Sequence, residues 1–197
     1  QWWPIFESAA QAILEELAPK GACDLVTDYA MPVSAEALKA ITGLSDMRAD
    51  EMDQVSQAMI DGCANYAGDP EVTARCNAAT ALIDAHIDRM LGAPPPNSAL
   101  SVMLAAGMAI ENVHANTKLI ISGGQNEPRD AIAGVIWALI NHPEQLTLIR
   151  QGQATYAQAF TEYARWISPI GMSPRVVAQS DTVGGVTFEP GDRVFLM

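Results

Sequence analysis

Hydrophobic residues recur every three or four positions along most of the chain, and their spacing shortens near its end. The longer spacing predicts amphipathic helices and the shorter one predicts strands. Proline, glycine and capping residues divide the helical part into segments, and Ser34 is the predicted N-cap of the second segment. The predicted helices cover residues 5–18, 35–43, 47–66, 71–91, 99–106, 110–141, 144–150 and 153–167.

The longest predicted helix, at about 110–141, has an unusual centre. Its two halves are apolar, but its middle carries the run Gly123-Gly124-Gln125-Asn126-Glu127-Pro128. In the interior of a helix, glycine is less favourable than alanine by about 1 kcal/mol and proline by about 3 kcal/mol. A run of this kind in the middle of a long helix indicates a purpose other than helix stability.

The pattern changes after about residue 168. The stretches VVAQS, GGVTFE and RVFLM are short, rich in β-branched or aromatic residues, and separated by Gly184-Gly185 and Pro190-Gly191. This pattern predicts strands and hairpins. We therefore expect a mainly α fold with a small β region (α+β), in which residues 1–197 form a single partial domain. Residues 1–167 are its helical part, and residues 168–197 hold the strands.

Charge and composition exclude some classes of function. The net charge is −12 and only 11 residues are Lys or Arg, which argues against a nucleic-acid partner. No apolar run reaches the length of a membrane span. The cysteines at 23, 63 and 76 are odd in number and lack CxxC spacing, so they predict reduced thiols in the cytoplasm. The chain starts without Met and stops within a predicted strand, so we expect a segment of a longer polypeptide.

Three motifs follow the glycine-rich centre in a fixed order. His142-Pro143-Glu144-Gln145-Leu146 joins two predicted helices, and Glu162-Tyr163-Ala164-Arg165 places an acid and a base on one helix face. Pro174-Arg175 then precedes the run VGGVTFEPGDRVFL. Together, in this order and spacing, these motifs resemble the cytochrome P450 family. The resemblance covers the whole chain, roughly from that family's D helix to the strands before its haem-thiolate loop, so it implies a P450 fold incomplete at both ends.

The resemblance implies a haem b cofactor and assigns roles around it. Gly123 and Gly124 match the small residues with which the family's I helix crosses the haem, and Arg175 matches the arginine that binds a haem propionate. Glu162 and Arg165 match the family's structural ExxR pair, which is buried there. The family's axial cysteine lies beyond the C-terminal end of this chain, so no metal ligand is expected within it.

The resemblance also indicates which residues line the substrate cavity. By their position on the long helix, Leu119, Ser122 and Gly123 are expected to face it. Pro169 and Ile170, just after the ExxR helix, match the family's next cavity segment. The helices at 47–66 and 71–91 match its F and G helices, which form the roof. We expect a small or medium-sized apolar or aromatic substrate.

One departure from the family's pattern concerns the catalytic pair. Asn126 stands where the family usually has Asp or Glu, and Glu127 stands where it usually has Thr. An acid in an apolar pocket is suited to general acid–base work, whereas an amide orients water. Glu127 and Asn126 are therefore the predicted catalytic residues. The structural alternative is that Glu127 pairs with Arg129 or Lys118.

Three functional hypotheses remain open on the sequence. The first is a P450 monooxygenase that takes electrons from a ferredoxin-type donor and uses Glu127 to deliver protons. The second is a peroxygenase, because a distal carboxylate suits the activation of hydrogen peroxide. The third is a non-catalytic helical ligand-binding protein or fragment that lacks haem.

Overall fold

The structure is a computed structural model and describes residues 2–168 and 171–197. Within those residues the fold is mainly helical, with two small antiparallel sheets, which confirms the predicted class. The helices are α1 (Trp3–Leu17), α2 (Met31–Thr42), α3 (Ala49–Cys63), α4 (Pro70–Met90), α5 (Ala99–Ala105), α6 (Ile110–Ser122), α7 (Asn126–Asn141), α8 (Pro143–Arg150) and α9 (Tyr156–Ile167). A 3₁₀ turn covers Ala18–Lys20, and a π-helical segment, Leu25–Ala30, leads into α2.

The strands are β1 (Ser173–Val176), β2 (Asp181–Val183), β3 (Val186–Phe188) and β4 (Arg193–Leu196). β1 pairs with β4, and β2 forms a hairpin with β3. Gly184 and Gly185 make the hairpin turn with φ of 60° and 82°, a conformation that glycine adopts without strain. The predicted strand over VVAQS is misplaced, because the partner β4 pairs with residues 173–176 and so ends β1 at Val176.

The chain divides into two compact units, Gln1–Trp137 and Ala138–Met197, and the boundary falls inside α7. The first unit has a hydrophobic core shared by α2 to α6. Its fully buried members include Leu44, Met52, Ile83, Leu100 and Ile121. In the part of the chain that the structure describes, no helix is both long and apolar enough to cross a membrane.

Charged contacts hold α4 against α6 in the first unit. Lys118 donates to both carboxylate oxygens of Asp84, at 2.6 and 2.9 Å, and Nδ1 of His114 lies 2.7 Å from the same side chain. Partial burial disfavours the ionised form of Asp84, but the hydrogen bonds with Lys118 and His114 outweigh burial and lower its pKa. A carboxylate is thus kept ionised where the predicted roof helix meets α6.

The start of α2 differs from the prediction. Asp24 accepts hydrogen bonds from the backbone N–H groups of Val26 and Thr27, so it caps the helical segment several residues earlier than expected. Ser34 therefore lies inside α2 and is buried. The predicted capping role of Ser34 is wrong, since α2 already begins at Met31, directly after the π-helical segment that Asp24 caps.

The long helix predicted over about 110–141 is interrupted. α6 ends at Ser122 and α7 begins at Asn126, so the prediction of a continuous helix is wrong at residues 123–125. The sequence carries the reason, because two glycines weaken the helix and Pro128 has no N–H for a bond to the preceding turn. The interruption falls at the run of residues for which the sequence predicted a special purpose.

Candidate functional site: the interruption between α6 and α7

The backbone changes its hydrogen bonding at the two glycines. The N–H of Gly123 still bonds to the carbonyl of Leu119 at 3.1 Å, but that of Gly124 bonds to Ile121 at 3.3 Å, one residue closer. A Cβ atom on Gly124 would lie 2.5 Å from the carbonyl oxygen of Ile120, whereas one on Gly123 would meet its nearest atom at 3.6 Å. Gly124 is therefore required by the tight turn, while Gly123 leaves an open, exposed surface.

Two serines from neighbouring helices satisfy carbonyl groups at the interruption. Ser34 of α2 donates its hydroxyl to the backbone oxygen of Gln125 at 2.6 Å, and Ser56 of α3 donates to that of Ile121 at 3.3 Å. Both serines are buried. Because a buried carbonyl without a partner destabilises the fold, these bonds fix the place at which the helix breaks.

Gln125 is a site residue that sequence reasoning missed. Its side chain is fully buried, and its amide nitrogen faces the carbonyl oxygen of Met31 at 3.4 Å and Oδ1 of Asp53 at 3.5 Å. Arg129 Nη1 lies 3.5 Å from the same Asp53 oxygen. These partners are far apart in sequence, so helical periodicity gave no signal for them. The one hint in the sequence of the burial of Gln125 was its position beside the apolar residues of the predicted long helix.

Three of the predicted substrate-facing residues form a strip at the end of α6. Leu119 and Ser122 lie on the last turn of α6, and Gly123 follows as its C-cap, four positions after Leu119. Leu119 is 68 % exposed and Gly123 is exposed, whereas Ser122 is half-buried. The Ser122 hydroxyl donates to the carbonyl of Leu119 at 3.1 Å, so it lies flat along the helix. Pro169 and Ile170, also predicted to face the substrate, lie outside the described residues.

The two predicted catalytic residues begin α7 and differ in environment. Glu127 is exposed, and the apolar pocket expected around it is not found among the described residues. Asn126 is half-buried, with its Oδ1 atom fully enclosed. The structural alternative for Glu127 loses its partners, because Arg129 pairs with Asp53 and Asp130 and Lys118 pairs with Asp84. Glu127 is thus available for chemistry, and its role stays a prediction.

The second unit carries the ExxR motif on α9. Arg165 donates to both oxygens of Glu162, at 2.7 and 2.5 Å, and this hydrogen bonding lowers the pKa of Glu162. The predicted contact between the two side chains is therefore present. The side chain of Glu162 is 64 % exposed and that of Arg165 is 70 % exposed, so the burial implied by the resemblance is not found in this chain.

Arg175 lies on β1, as the pairing with β4 requires, and is exposed. Its Nη1 atom donates to Oγ of Ser173 at 2.5 Å and to the carbonyl oxygen of Pro174 at 2.7 Å. These local bonds hold a positive charge at the surface without neutralising it. Such a group is suited to bind a carboxylate.

The His142-Pro143 motif forms the predicted helix junction. Pro143 is the first residue of α8, where its missing N–H has no consequence. The ring of His142 packs edge-on against Trp166 of α9, with 6.2 Å between ring centroids. His142 is a packing residue within the second unit in this arrangement.

The chain thus combines a helix interrupted at a glycine pair, a helical ExxR pair and small antiparallel sheets, and the proteins similar to it are cytochromes P450. No protein-family model matches the chain. It is 25 % identical over 203 residues to the vitamin D(3) 25-hydroxylase of Pseudonocardia autotrophica and 22 % identical over 199 residues to cytochrome P450 107B1 of Saccharopolyspora erythraea. Each match covers 98 % of this chain and 48 % of the relative, so the chain spans about half the length of these curated relatives.

Solved structures give the same result for the fold. P450BioI, in its complex with an acyl carrier protein that carries hexadec-9Z-enoic acid, has a TM-score of 0.84 at 20 % identity. That match covers 100 % of this chain and 52 % of the other. Cytochrome P450 260B1 of Sorangium cellulosum has a TM-score of 0.81 at 24 % identity, covering 98 % of this chain and 50 % of the other. The chain has the cytochrome P450 fold and corresponds over its length to an internal segment of such a protein, which confirms the predicted resemblance.

Proposed function

We propose that the protein containing this chain is a haem-thiolate oxidase that inserts oxygen into a small or medium-sized apolar or aromatic substrate. The observation that carries the proposal is the interruption between α6 and α7. Its buried side is fixed by Ser34, Ser56 and Gln125, while its other side exposes Gly123 with no side chain. A helix break that is hydrogen-bonded to the core on one side and carries no side chain on the other is suited to pack against a flat group.

The residues present fit haem b. The strip of Leu119 and Gly123 offers apolar contact, and the room at Gly123 lets a macrocycle approach the backbone. Gly124 keeps the turn tight. In the second unit, considered by itself, Arg175 has a surface guanidinium of the kind that binds a propionate. When bound, the haem would supply the activation of dioxygen or peroxide.

The names of several similar proteins support an apolar substrate. They include a vitamin D(3) 25-hydroxylase and a steroid C26-monooxygenase, and the solved structures include a complex with testosterone. Vitamin D(3) and steroids such as testosterone are largely hydrocarbon. We propose that Leu119 and Ser122 contact such a substrate. We propose the same role for Pro169 and Ile170, as the resemblance implies.

Glu127 and Asn126 are the proposed catalytic residues of the oxidase. A carboxylic acid can exchange protons, and Glu127 is exposed in the first turn of α7. Asn126 would orient water for this exchange. We propose a ferredoxin-type protein as the electron donor and the cytoplasm as the location.

Peroxide-driven oxidation is the second candidate function. It is favoured by one observation, the presence of the carboxylate of Glu127 where the family usually has an alcohol. A carboxylate can take a proton from one peroxide oxygen and return it to the other, so peroxide alone could supply the oxidant. In that case the ferredoxin-type donor would not be required.

An isotope experiment on the full-length protein separates the two candidates. Testosterone and hexadec-9Z-enoic acid serve as probe substrates, first with a reduced ferredoxin system under ¹⁸O₂ and then with H₂¹⁸O₂ alone. We expect a product heavier by one ¹⁸O atom from the ferredoxin reaction, formed faster than with peroxide. Labelled product from peroxide alone would replace the monooxygenase by the peroxygenase. Haem-loaded protein that oxidises neither probe under either condition would contradict the proposed oxidase.

A further inference from the structure

Asp84, Asp88, His114 and Lys118 form a charged cluster between α4 and α6. His114 lies between the two acids: its Nδ1 atom is 2.7 Å from Oδ1 of Asp84, and its Nε2 atom is 3.1 Å from Oδ1 of Asp88. The ring is largely enclosed, since 16 % of the side chain is exposed. Both ring nitrogens therefore face a hydrogen-bond acceptor.

The protonation state of His114 decides how many of these contacts it can make. An imidazolium donates from both ring nitrogens, whereas neutral histidine donates from one nitrogen and carries a lone pair on the other. An ionised carboxylate can only accept. In the neutral state, one ring nitrogen of His114 would therefore place its lone pair against a carboxylate oxygen.

The two acids differ in how firmly they are held. Asp84 also accepts from Nζ of Lys118, at 2.6 and 2.9 Å. Partial burial favours the protonated form of Asp84, but the hydrogen bonds with Lys118 and His114 outweigh burial and lower its pKa. The side chain of Asp88 is 64 % exposed, and its one partner in the described part of the chain is His114. A neutral His114 would keep its N–H on Asp84, at the shorter distance, and would lose Asp88.

Among the described residues, no other charged side chain bonds to His114. On α4, His86 and Arg89 lie within hydrogen-bond distance of Asp46, and α5 carries no ionisable side chain. Glu111, one turn before His114 on α6, is exposed. The charged side chains of α2 and α3 have other partners: Glu36 with Lys39, Asp50 with Arg48, Glu51 with His86, Asp53 with Arg129 and Asp61 with Gln57.

We propose that His114 is a pH-dependent clamp between α4 and α6, which binds both Asp84 and Asp88 when it is protonated and releases Asp88 when it loses its proton. Histidine is the side chain that ordinarily changes its charge between about pH 5 and 8. The stabilising contribution of the clamp is present at the acidic end of this range and is lost as the pH rises. The clamp joins two helices of the first unit and does not depend on the proposed function.

Crystal structures of the full-length protein at about pH 5.5 and about pH 8.5, on either side of the ordinary titration of histidine, test the proposal directly. At the lower pH we expect Asp88 within hydrogen-bond distance of Nε2 of His114. At the higher pH we expect Asp88 to turn into solvent, while the contact between His114 and Asp84 is kept. Asp88 bonded to His114 at both pH values, or at neither, would overturn the proposal.

A double-mutant cycle measures the same contact in solution. Urea unfolding is compared for the full-length wild type, His114→Gln, Asp88→Asn and the double variant. At about pH 5.5 we expect the two residues to be coupled by about threefold in the unfolding constant, within the range of partly exposed ion pairs. At about pH 8.5 we expect the two effects simply to multiply, because the neutral ring no longer donates to Asp88. Equal coupling at the two pH values, or no coupling at the lower one, would overturn the clamp.

The matched control pairs His114→Gln with Glu71→Gln. Glu71 is an exposed acid in the first turn of α4, at the opposite end of that helix from Asp88. We expect the effects of these two substitutions to multiply at both pH values. A pH-dependent coupling with Glu71 as strong as that with Asp88 would assign the effect to the overall charge of α4, and would also overturn the clamp.

Discussion

Replacing Glu127 with glutamine in the full-length protein is expected to lower its rate of substrate oxidation by about 100-fold or more, the usual contribution of a general acid–base. Glutamine keeps the size and the hydrogen-bonding geometry of the side chain but cannot exchange a proton. Because Glu127 is exposed and is not engaged by Arg129 or Lys118, the change should leave stability nearly unaltered. Initial rates of product formation, with urea unfolding measured in parallel, check this.

The matched control for this substitution is Glu111→Gln. Glu111 is also an exposed acid in the first turn of its helix, at the other end of α6, and has no proposed role in the chemistry. The Glu111→Gln variant should oxidise the substrate at the wild-type rate. Equal rates for Glu127→Gln and the wild type, with either the ferredoxin system or peroxide, would remove Glu127 from the mechanism.

Gly124→Ala is expected to destabilise the protein by about 1–3 kcal/mol, the range for overpacking a well-filled site. The added Cβ would lie 2.5 Å from the carbonyl oxygen of Ile120 and 3.0 Å from Cδ1 of Leu38. The leucine tip can move, but the backbone carbonyl cannot move without disturbing the end of α6. Urea unfolding of the full-length protein gives the free-energy change.

Gly123→Ala is the matched control, because the same methyl group is added one residue earlier. Its Cβ would meet its nearest atom at 3.6 Å, an ordinary contact distance. We expect its free energy of unfolding to stay within about 1 kcal/mol of the wild type, the scale of a Gly-to-Ala propensity change. Equal destabilisation by the two substitutions would contradict the described geometry of the interruption.

Much of the fold was predictable because it follows from local patterns. Helix spacing, Pro143 at the start of α8 and the glycine pair between β2 and β3 are decided within a few residues. The prediction failed where distant parts of the chain decide the outcome. Ser34 resembled a helix cap, but a carbonyl at Gln125, 91 residues away, determines its role. The prediction of a continuous helix failed at residues 123–125, where the glycine pair weakens the helix and serines from two other helices bond to carbonyl groups of its broken form.

The parts of the candidate site that lie within a short sequence motif could be predicted. Contacts between residues that are distant in sequence could not. The sequence placed Gly123, Gly124, Asn126 and Glu127 together because they are neighbours. It did not identify Asp53 as the partner of the buried Gln125, because the two residues are 72 positions apart. The ExxR contact was predictable from helical spacing, but its exposure was not, because burial depends on what covers α9.

The measurement that tests the central claim most directly is the absorption spectrum of the full-length protein after reduction and binding of carbon monoxide. A thiolate-ligated haem gives the red-shifted Soret band from which the cytochrome P450 family takes its name. We predict that band, with one haem per protein molecule. A haem-loaded protein without the band, or a folded protein that takes up no haem, would contradict the proposal that this fold serves a haem-thiolate oxidase.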